Sequence, residues 1–185
     1  MSFDSAPFAF TWNGTKVHRG QEPLVRTHTY VFKSTKTGLR YILHAEEFTG
    51  EIIVLKFYCA RHKGIGEFIR YSVNEDAFEV FSVCNTVGSI SRDLLERFPK
   101  SSFGMIASRG RRPASGTVEP KRPVARFRVW RMAIARTHGF ENFIHYEYEL
   151  EGGYLLINPC HSDPDSLRQE YTRQFSKAYP VIHGI

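Results

Sequence analysis

The segment that most restricts the possible folds of this chain is the run EIIVLKFYC at Glu51–Cys59. Apolar side chains follow one another here, without the regular polar alternation of a strand that has one face in water. The run therefore predicts a central strand that is buried on both faces, and Gly50 supplies the turn before it. A chain with such a strand must provide further layers to cover both faces of its sheet.

The composition supplies enough apolar material for those layers. The chain has 185 residues, of which 42% are hydrophobic and 24% are charged, as in ordinary globular proteins. A chain of this length buries enough surface to fold without a metal ion or disulfides. We therefore expect one domain over residues 1–185.

The cysteines and the absence of targeting signals indicate a cytoplasmic protein. The three cysteines are Cys59, Cys84 and Cys160. They lie far apart and lack C-x-x-C spacing, so the sequence predicts neither a disulfide framework nor a zinc ribbon. Residues 160–165 contain metal-ligating residue types, but Asp163-Pro164 is better explained as a helix start, and we predict no metal site.

No stretch approaches the roughly 18 apolar residues of a membrane span, and residues 1–10 do not resemble a signal peptide, so we expect no membrane association.

The first half of the chain contains signals for antiparallel strands. Three aromatic residues at positions 8, 10 and 12 run into Asn13-Gly14, a strong signal for a tight turn, which predicts an N-terminal aromatic hairpin over residues 1–20. A second hairpin is predicted from the alternating runs Thr27–Lys33 and Leu39–Glu46, which a turn-forming linker joins.

The second half mixes strands and helices. Ala77–Cys84 is interpreted as a strand, with a helix from Asn85 or Thr86 to Phe98, and Ser102–Ala107 as a strand that pairs with it in parallel through a right-handed crossover. The remaining predicted elements are a helix over Val124–His138, a hairpin of Asn142–Leu150 with Tyr154–Asn158, and a C-terminal amphipathic helix over residues 163–179. The sequence thus predicts an α+β fold, with a mixed, mostly antiparallel twisted sheet, one parallel β-α-β crossover and two or three helices.

Positive charge is concentrated in one segment of the chain. Between Arg109 and Arg136, nine basic residues stand against one acid, Glu119, whereas the whole chain has a net charge of +6. Such a segment attracts phosphate-bearing ligands, nucleic acid or an acidic protein surface, and arginine favours bidentate contacts with these groups. The alternative is that the arginines only solvate a loop and a helix face. The candidate anion-binding residues are Arg109, Arg111, Arg112, Arg122 and Arg128.

From about residue 50 to residue 158, this order of elements resembles the GNAT superfamily of acyl-CoA N-acyltransferases. In that family a central strand is followed by a strand-turn-helix that holds the cofactor pyrophosphate, a splayed parallel strand, a second helix and a final hairpin. The matching parts here are Glu51–Cys59, Ala77–Phe98, Ser102–Ala107, Val124–His138 and Asn142–Asn158. The family's phosphate-binding pattern is Gln or Arg, two residues, Gly, one residue, then Gly or Ala, and Gly88 matches its first glycine. The resemblance implies acetyl-CoA or another acyl-CoA as the cofactor. Residues 124–138 contain no tyrosine of the kind that often serves as general acid in the family.

Two groups of residues are candidates for the chemistry of such a site. Asn85, Thr86, Gly88 and Ser89 form a candidate cradle for the cofactor phosphates at a helix N-terminus, and the alternative is ordinary helix capping. Glu79 is the candidate general base if it faces a cleft, although its place in the predicted strand also suits a solvated position.

Cys84 precedes the predicted helix and has many histidines as possible bases, among them His138 and His145. No spacing ties a histidine to this thiol, so we predict a buried structural cysteine.

Two function classes follow from these observations. The first is a GNAT-like protein that binds an acyl-CoA or another phosphate-bearing anion, with catalysis left open. The alternative is a binding or regulatory module whose segment 109–136 engages nucleic acid or an acidic protein partner.

Residues 109–123 form a long basic loop with only one large apolar side chain, Val118, so the sequence predicts that the loop is flexible without a ligand. Limited trypsin digestion is expected to cut first within Arg109–Arg122 and to leave two fragments that stay associated. An anionic ligand held nearby is expected to slow that cut. First cleavage elsewhere would contradict the prediction.

Overall fold

The computed structural model describes residues 5–66, 70–71, 79–106, 125–149 and 152–179. In this part of the chain the fold is α+β, with a seven-stranded sheet and three α-helices. The strands are β1 (Phe10–Val17), β2 (Leu24–Lys33), β3 (Arg40–Phe48), β4 (Ile52–Cys59), β5 (Ser102–Ile106), β6 (Ile144–Tyr148) and β7 (Gly153–Ile157). The helices are α1 (Val80–Arg97), α2 (Ala125–His138) and α3 (Pro164–Ala178), and a short 3-10 turn, Ala60–His62, follows β4.

The sheet is mostly antiparallel and has the strand order β1-β2-β3-β4-β5-β7-β6. Strands β1, β2, β3 and β4 pair antiparallel in this order. Strand β5 pairs in parallel with β4, and β7 pairs antiparallel with both β5 and β6. The predicted mixed sheet with one parallel crossover is therefore confirmed.

The central strand β4 is covered on both faces, as its composition predicts. Ile53 and Leu55 belong to a core cluster shared with α1 and α2, whereas Ile52 and Val54 belong to a second cluster with Tyr171 of α3. Successive side chains of a strand point to opposite faces, so a run without polar alternation serves two cores at once.

Helix α3 begins as its sequence predicts. Asp163 caps the helix by accepting a hydrogen bond from the backbone N–H of Ser166 at 3.0 Å, and Pro164 occupies the first helical position. The helix is amphipathic as predicted, and its apolar side chains, which include Tyr171 and Phe175, pack on the second core. The Tyr171 hydroxyl also donates to the carbonyl of Gly50, in the turn before β4.

The strand predicted over Ala77–Cys84 is wrong for its described part, residues 79–84. Residues 80–84 form the first turns of α1, so the helix begins at Val80 rather than at Asn85 or Thr86, and the parallel partner of β5 is β4. A short apolar run cannot be assigned to strand or helix by periodicity alone. The longer pattern decides for the helix, because Val83, Val87, Ile90 and Leu94 recur at helical spacing and all are buried.

The predicted tight turn at Asn13-Gly14 is also wrong. Strand β1 continues through both residues, and the chain reverses only between Val17 and Leu24. Trp12 pairs with Tyr30 and Thr15 with His28, so β1 holds one residue more than β2 over this interval, which is a β-bulge. Gly14 has a φ of +114°, which glycine adopts easily. The residue that suggested a tight turn therefore provides the positive φ of the bulge.

Helices α1 and α2 are in close contact at Gly88. A Cβ atom at this position would lie 2.6 Å from Thr137 Oγ1 and 2.9 Å from Thr137 Cγ2, both shorter than real contacts allow. Gly88 is therefore explained by helix packing.

We expect Gly88→Ala to lower the free energy of unfolding by about 1–2 kcal/mol, because overpacking outweighs the roughly 1 kcal/mol that alanine gains in helix propensity. Combining it with Thr137→Ala should recover most of the loss, so urea unfolding of both single variants and the double variant should show a favourable coupling. A Gly88→Ala variant more stable than the parent chain would contradict this packing.

Candidate functional site

The predicted phosphate cradle lies inside α1 and not at its N-terminus. Asn85, Thr86, Gly88 and Ser89 occupy the second and third turns, because the helix begins at Val80. Backbone amides there donate to carbonyls four residues earlier, so they are not available to a phosphate. The physical reason for placing a pyrophosphate at these residues therefore does not hold.

The side chains of the predicted cradle fix the N-terminal segment to α1. The Thr86 hydroxyl accepts a hydrogen bond from the backbone N–H of Phe8 at 2.8 Å, and the Asn85 amide donates to the carbonyl of Ser5. Ser89 donates to the carbonyl of Asn85 within the helix. These contacts attach residues 5–8 to the body of the protein.

Glu79 lies immediately before α1 and is 3% exposed. Its carboxylate accepts hydrogen bonds from Ser34 and Thr37, which belong to the turn between β2 and β3. The prediction that it lies on a strand is wrong, and the side chain faces this turn rather than a cleft. A carboxylate also complements the positive end of the helix, so a phosphate at the same place would meet a like charge.

Cys84 is a buried structural residue, as predicted. It is 1% exposed within the core beneath α1, and burial raises the pKa of its thiol to about 12. A thiol that holds its proton at neutral pH is a poor nucleophile.

The basic segment lies mostly outside the described residues. Arg109, Arg111, Arg112 and Arg122 all fall in the part that the structure does not describe, whereas Arg128 is an exposed side chain of α2. On the same helix, Arg131 forms an ion pair with Glu147 of β6 at 2.8 Å. Of the five candidate anion-binding residues, Arg128 is therefore the one that lies in the described part of the chain.

The most distinctive feature of the sheet is the divergence of β4 and β5. The two strands pair only over Ile52–Ser102, Ile53–Phe103 and Val54–Gly104, although β4 continues to Cys59 and β5 to Ile106. Among the described residues, the far half of β4 pairs with β3 on one edge and with no strand on the other. In the part of the chain that the structure describes, the divergence therefore leaves a gap between the two strands in the middle of the sheet.

The open edge of β4 presents backbone hydrogen-bonding groups. Ser102 N–H donates to the carbonyl of Glu51 at 2.8 Å, so the odd-numbered residues of β4 direct their peptide groups toward β5. Phe57 follows the same alternation, but no described residue of β5 pairs with it. A peptide-like ligand can take up such groups as a missing strand does.

A small cavity of about 20 Å³ lies beside this divergence, between the sheet and helices α1 and α2. Leu55 and Met105 border it from the two diverging strands, and its polar groups include Ser91, His138 and Tyr154. The space is enough for one or two water-sized groups. No carboxylate belongs to the described residues that line it.

Ser91 and His138 form a buried pair at the wall of the cavity. The Ser91 hydroxyl donates to the carbonyl of Gly88 at 2.8 Å, so His138 Nε2, at 2.9 Å, is assigned as the donor to Ser91 Oγ. The imidazole packs against the rings of Phe103 and Phe143. Burial, with the charges of His145 and Arg92, lowers the pKa of His138 to about 4. In this arrangement the histidine is a neutral donor and does not activate the serine.

Tyr154 contributes a second polar group to the cavity wall. Its hydroxyl lies 2.8 Å from His145 Nδ1, and His145 Nε2 donates to the carbonyl of Gly139 at 2.9 Å, which leaves Nδ1 as an acceptor. Burial, with the charge of Glu147, raises the pKa of Tyr154 to about 12. The phenol therefore keeps its proton and donates it in the hydrogen bond to His145 Nδ1.

Sequence reasoning did not single out Ser91 or Tyr154 as site residues, and it considered His138 and His145 only as partners for Cys84. The contacts of Ser91 with His138 and of Tyr154 with His145 join different elements of the fold. No spacing rule in the sequence relates such residues before the helices and strands are placed.

Two further kinds of feature are absent from the described ranges. Among these residues, no group of three or more histidine, cysteine or acidic side chains is placed to bind a metal ion. In the same ranges, no helix has the length and apolar character needed to cross a bilayer.

Comparison of the chain with protein-family models, with curated proteins and with solved structures finds no match.

The burial of His138 makes folding dependent on pH. The unfolded chain binds a proton at this residue below its ordinary pKa of 6.5, whereas the native protein binds it only near pH 4. The unfolded state therefore holds more protons in this window, and the native state loses up to about 3 kcal/mol as the pH falls from 6.5 to 4.

Urea unfolding at several pH values should show a smaller loss for His138→Gln than for the parent chain, and this difference isolates the histidine from the carboxylates. In the parent chain, NMR should show no titration of the His138 ring between pH 5 and 8. A ring that titrates near 6.5 would contradict the burial argument.

Proposed function

We propose that this chain binds an acyl-CoA with a short acyl group, in the gap between β4 and β5. The observation that carries the proposal is the divergence of the two strands after Val54 and Gly104. The resemblance to the GNAT superfamily supports the same ligand, because a parallel strand that splays from the central strand belongs to that pattern.

The open edge of β4 suits the pantetheine arm of coenzyme A. This arm contains two amide groups, and amides form hydrogen bonds with an open strand edge as another strand does. Phe57 lies on the half of β4 that does not pair with β5. Its ring packs against Trp130 of α2, with the ring centroids 5.5 Å apart. These two rings therefore form an aromatic wall beside the edge, and the apolar thioester end of the ligand can pack against this wall.

The size of the cavity limits the acyl group. With a volume of about 20 Å³, it admits an acetyl group and no long chain. Because no carboxylate lines the described wall, no group is assigned to deprotonate an attacking amine, and the proposed function is binding rather than turnover.

The phosphates of the ligand are proposed to contact the basic segment instead of the start of α1. Glu79 places a carboxylate at the N-terminus of α1, which disfavours an anion there. Trp130 brings the first half of α2 to the open edge of β4, and Arg128 is exposed in that half. Arginine is well suited to phosphate oxygens.

Titration with acetyl-CoA is expected to raise the melting temperature of the protein by mass action. Saturation at 100 times the dissociation constant adds about 2.7 kcal/mol of stability, and each kcal/mol raises the melting temperature by about 2–4 °C in a chain of this size. Arg128→Glu should reduce the shift, because it reverses a charge that faces the phosphates. The matched control is Arg173→Glu, which makes the same change on an exposed residue of α3, on the other face of the sheet.

Equal loss in both charge variants would show a nonspecific electrostatic effect, and no shift at millimolar acetyl-CoA would overturn the proposal. If instead an oligonucleotide gives the shift, with affinity that falls steeply as salt rises, the alternative function of the 109–136 segment is favoured.

A further inference from the structure

The β-bulge in β1 places a hydroxyl group beside a buried histidine. Trp12 and Thr15 are three residues apart, yet their partners Tyr30 and His28 are two apart, so the bulge brings both onto the same face. Without the extra residue, Thr15 would point to the opposite face of the sheet. The bulge therefore brings the Thr15 hydroxyl to 2.8 Å from His28 Nδ1.

A carboxylate orients the histidine from its other side. His28 Nε2 lies 3.2 Å from Glu47 Oε2, and Arg26 Nη1 lies 3.4 Å from the same oxygen. A carboxylate only accepts hydrogen bonds, so Nε2 carries the hydrogen and Nδ1 is free to accept one from Thr15. His28 is 4% exposed and packs against Phe98, with the ring centroids 5.0 Å apart, which holds the ring in this orientation.

We propose that Thr15 is a nucleophile for acyl transfer from small activated carboxylic esters, with His28 as its general base and Glu47 as a positioning residue. A hydroxyl, an imidazole and a carboxylate in hydrogen-bonded series are the arrangement that activates such a nucleophile. The proposed site shares no residue with the acyl-CoA gap and does not depend on it.

The chemistry balances with the ester and water as the only reactants. Thr15 Oγ1 forms a bond to the carbonyl carbon, and its proton passes to His28 Nδ1. The bond from that carbon to the leaving oxygen breaks, and the departing oxygen takes the proton from His28. Water then attacks the acyl-threonine, gives its proton through His28 to Thr15 Oγ1, and releases a carboxylic acid.

The surroundings of Thr15 admit such an ester. The Thr15 side chain is exposed at the edge of the sheet, and a Cβ atom on the neighbouring Gly14 would meet no atom within 4 Å. The indole of Trp12, 47% exposed, lies on the same face and offers a surface for an aromatic leaving group. The bulge also takes the peptide groups of Asn13 and Gly14 out of regular pairing, and N–H groups of this kind stabilise a developing oxyanion.

The test uses p-nitrophenyl acetate on the full chain carrying Cys160→Ser, because Cys160 is an exposed thiol that would react by itself. Release of p-nitrophenolate is followed by absorbance, and an acid-quenched sample is digested for mass spectrometry. We expect an acetyl group on the peptide that contains Thr15. Thr15→Val should lower the rate by about 100-fold, whereas Thr15→Ser should keep most of it.

Thr11→Val is the matched control, since Thr11 is an exposed threonine of the same strand that pairs with Val31 rather than with a histidine. Its rate should equal that of the parent. His28→Asn should slow the reaction as Thr15→Val does, with circular dichroism used to check that it folds. Because Thr15 is exposed, its variants test the proposal even if His28→Asn unfolds. Acetylation only of lysines or the N-terminus, or equal rates for Thr15→Val and Thr11→Val, would overturn the proposal.

Discussion

The fold depends on the burial of β4 on both faces. Ile53 and Leu55 face the core beneath α1 and α2, while Ile52 and Val54 face the core beneath α3, so this one strand holds the two helical layers together. Its edges are not equivalent, because β3 pairs along its whole length and β5 along only three residues. The same strand therefore supplies the stability of the sheet and the open edge at which we propose that a ligand binds.

The parts of the fold that the sequence predicts correctly are those set by local chemistry. Alternation identified β2 and β3, the continuous apolar run identified β4, and Asp163-Pro164 identified the start of α3. The two wrong predictions arose where one local signal serves two structures. Asn13-Gly14 suits a bulge as well as a turn, and the run at Ala77–Cys84 has the composition of a strand but lies at the start of a longer helical pattern.

The candidate sites were less predictable than the fold, because their contacts join residues that are distant in sequence. Ser91 meets His138 only after α1 packs on α2, and Thr15 meets His28 only because an extra residue shifts the register of β1. The error in the start of α1 also moved the predicted cradle from a helix end to a helix interior. One error of secondary structure thus removed the physical basis of a predicted site, although the fold class was correct.

The most direct test of the central claim is hydrogen–deuterium exchange of the β4 amides with and without acetyl-CoA. Ile52, Ile53 and Val54 are paired on both edges and should be protected in both samples. Acetyl-CoA should slow exchange at Leu55 and above all at Phe57, because the N–H groups of odd-numbered residues face the gap, whereas Lys56 and Tyr58 direct theirs to β3 and should not change. Unchanged exchange at Phe57 in a sample saturated with acetyl-CoA would contradict the claim that the divergence of β4 and β5 is the binding site.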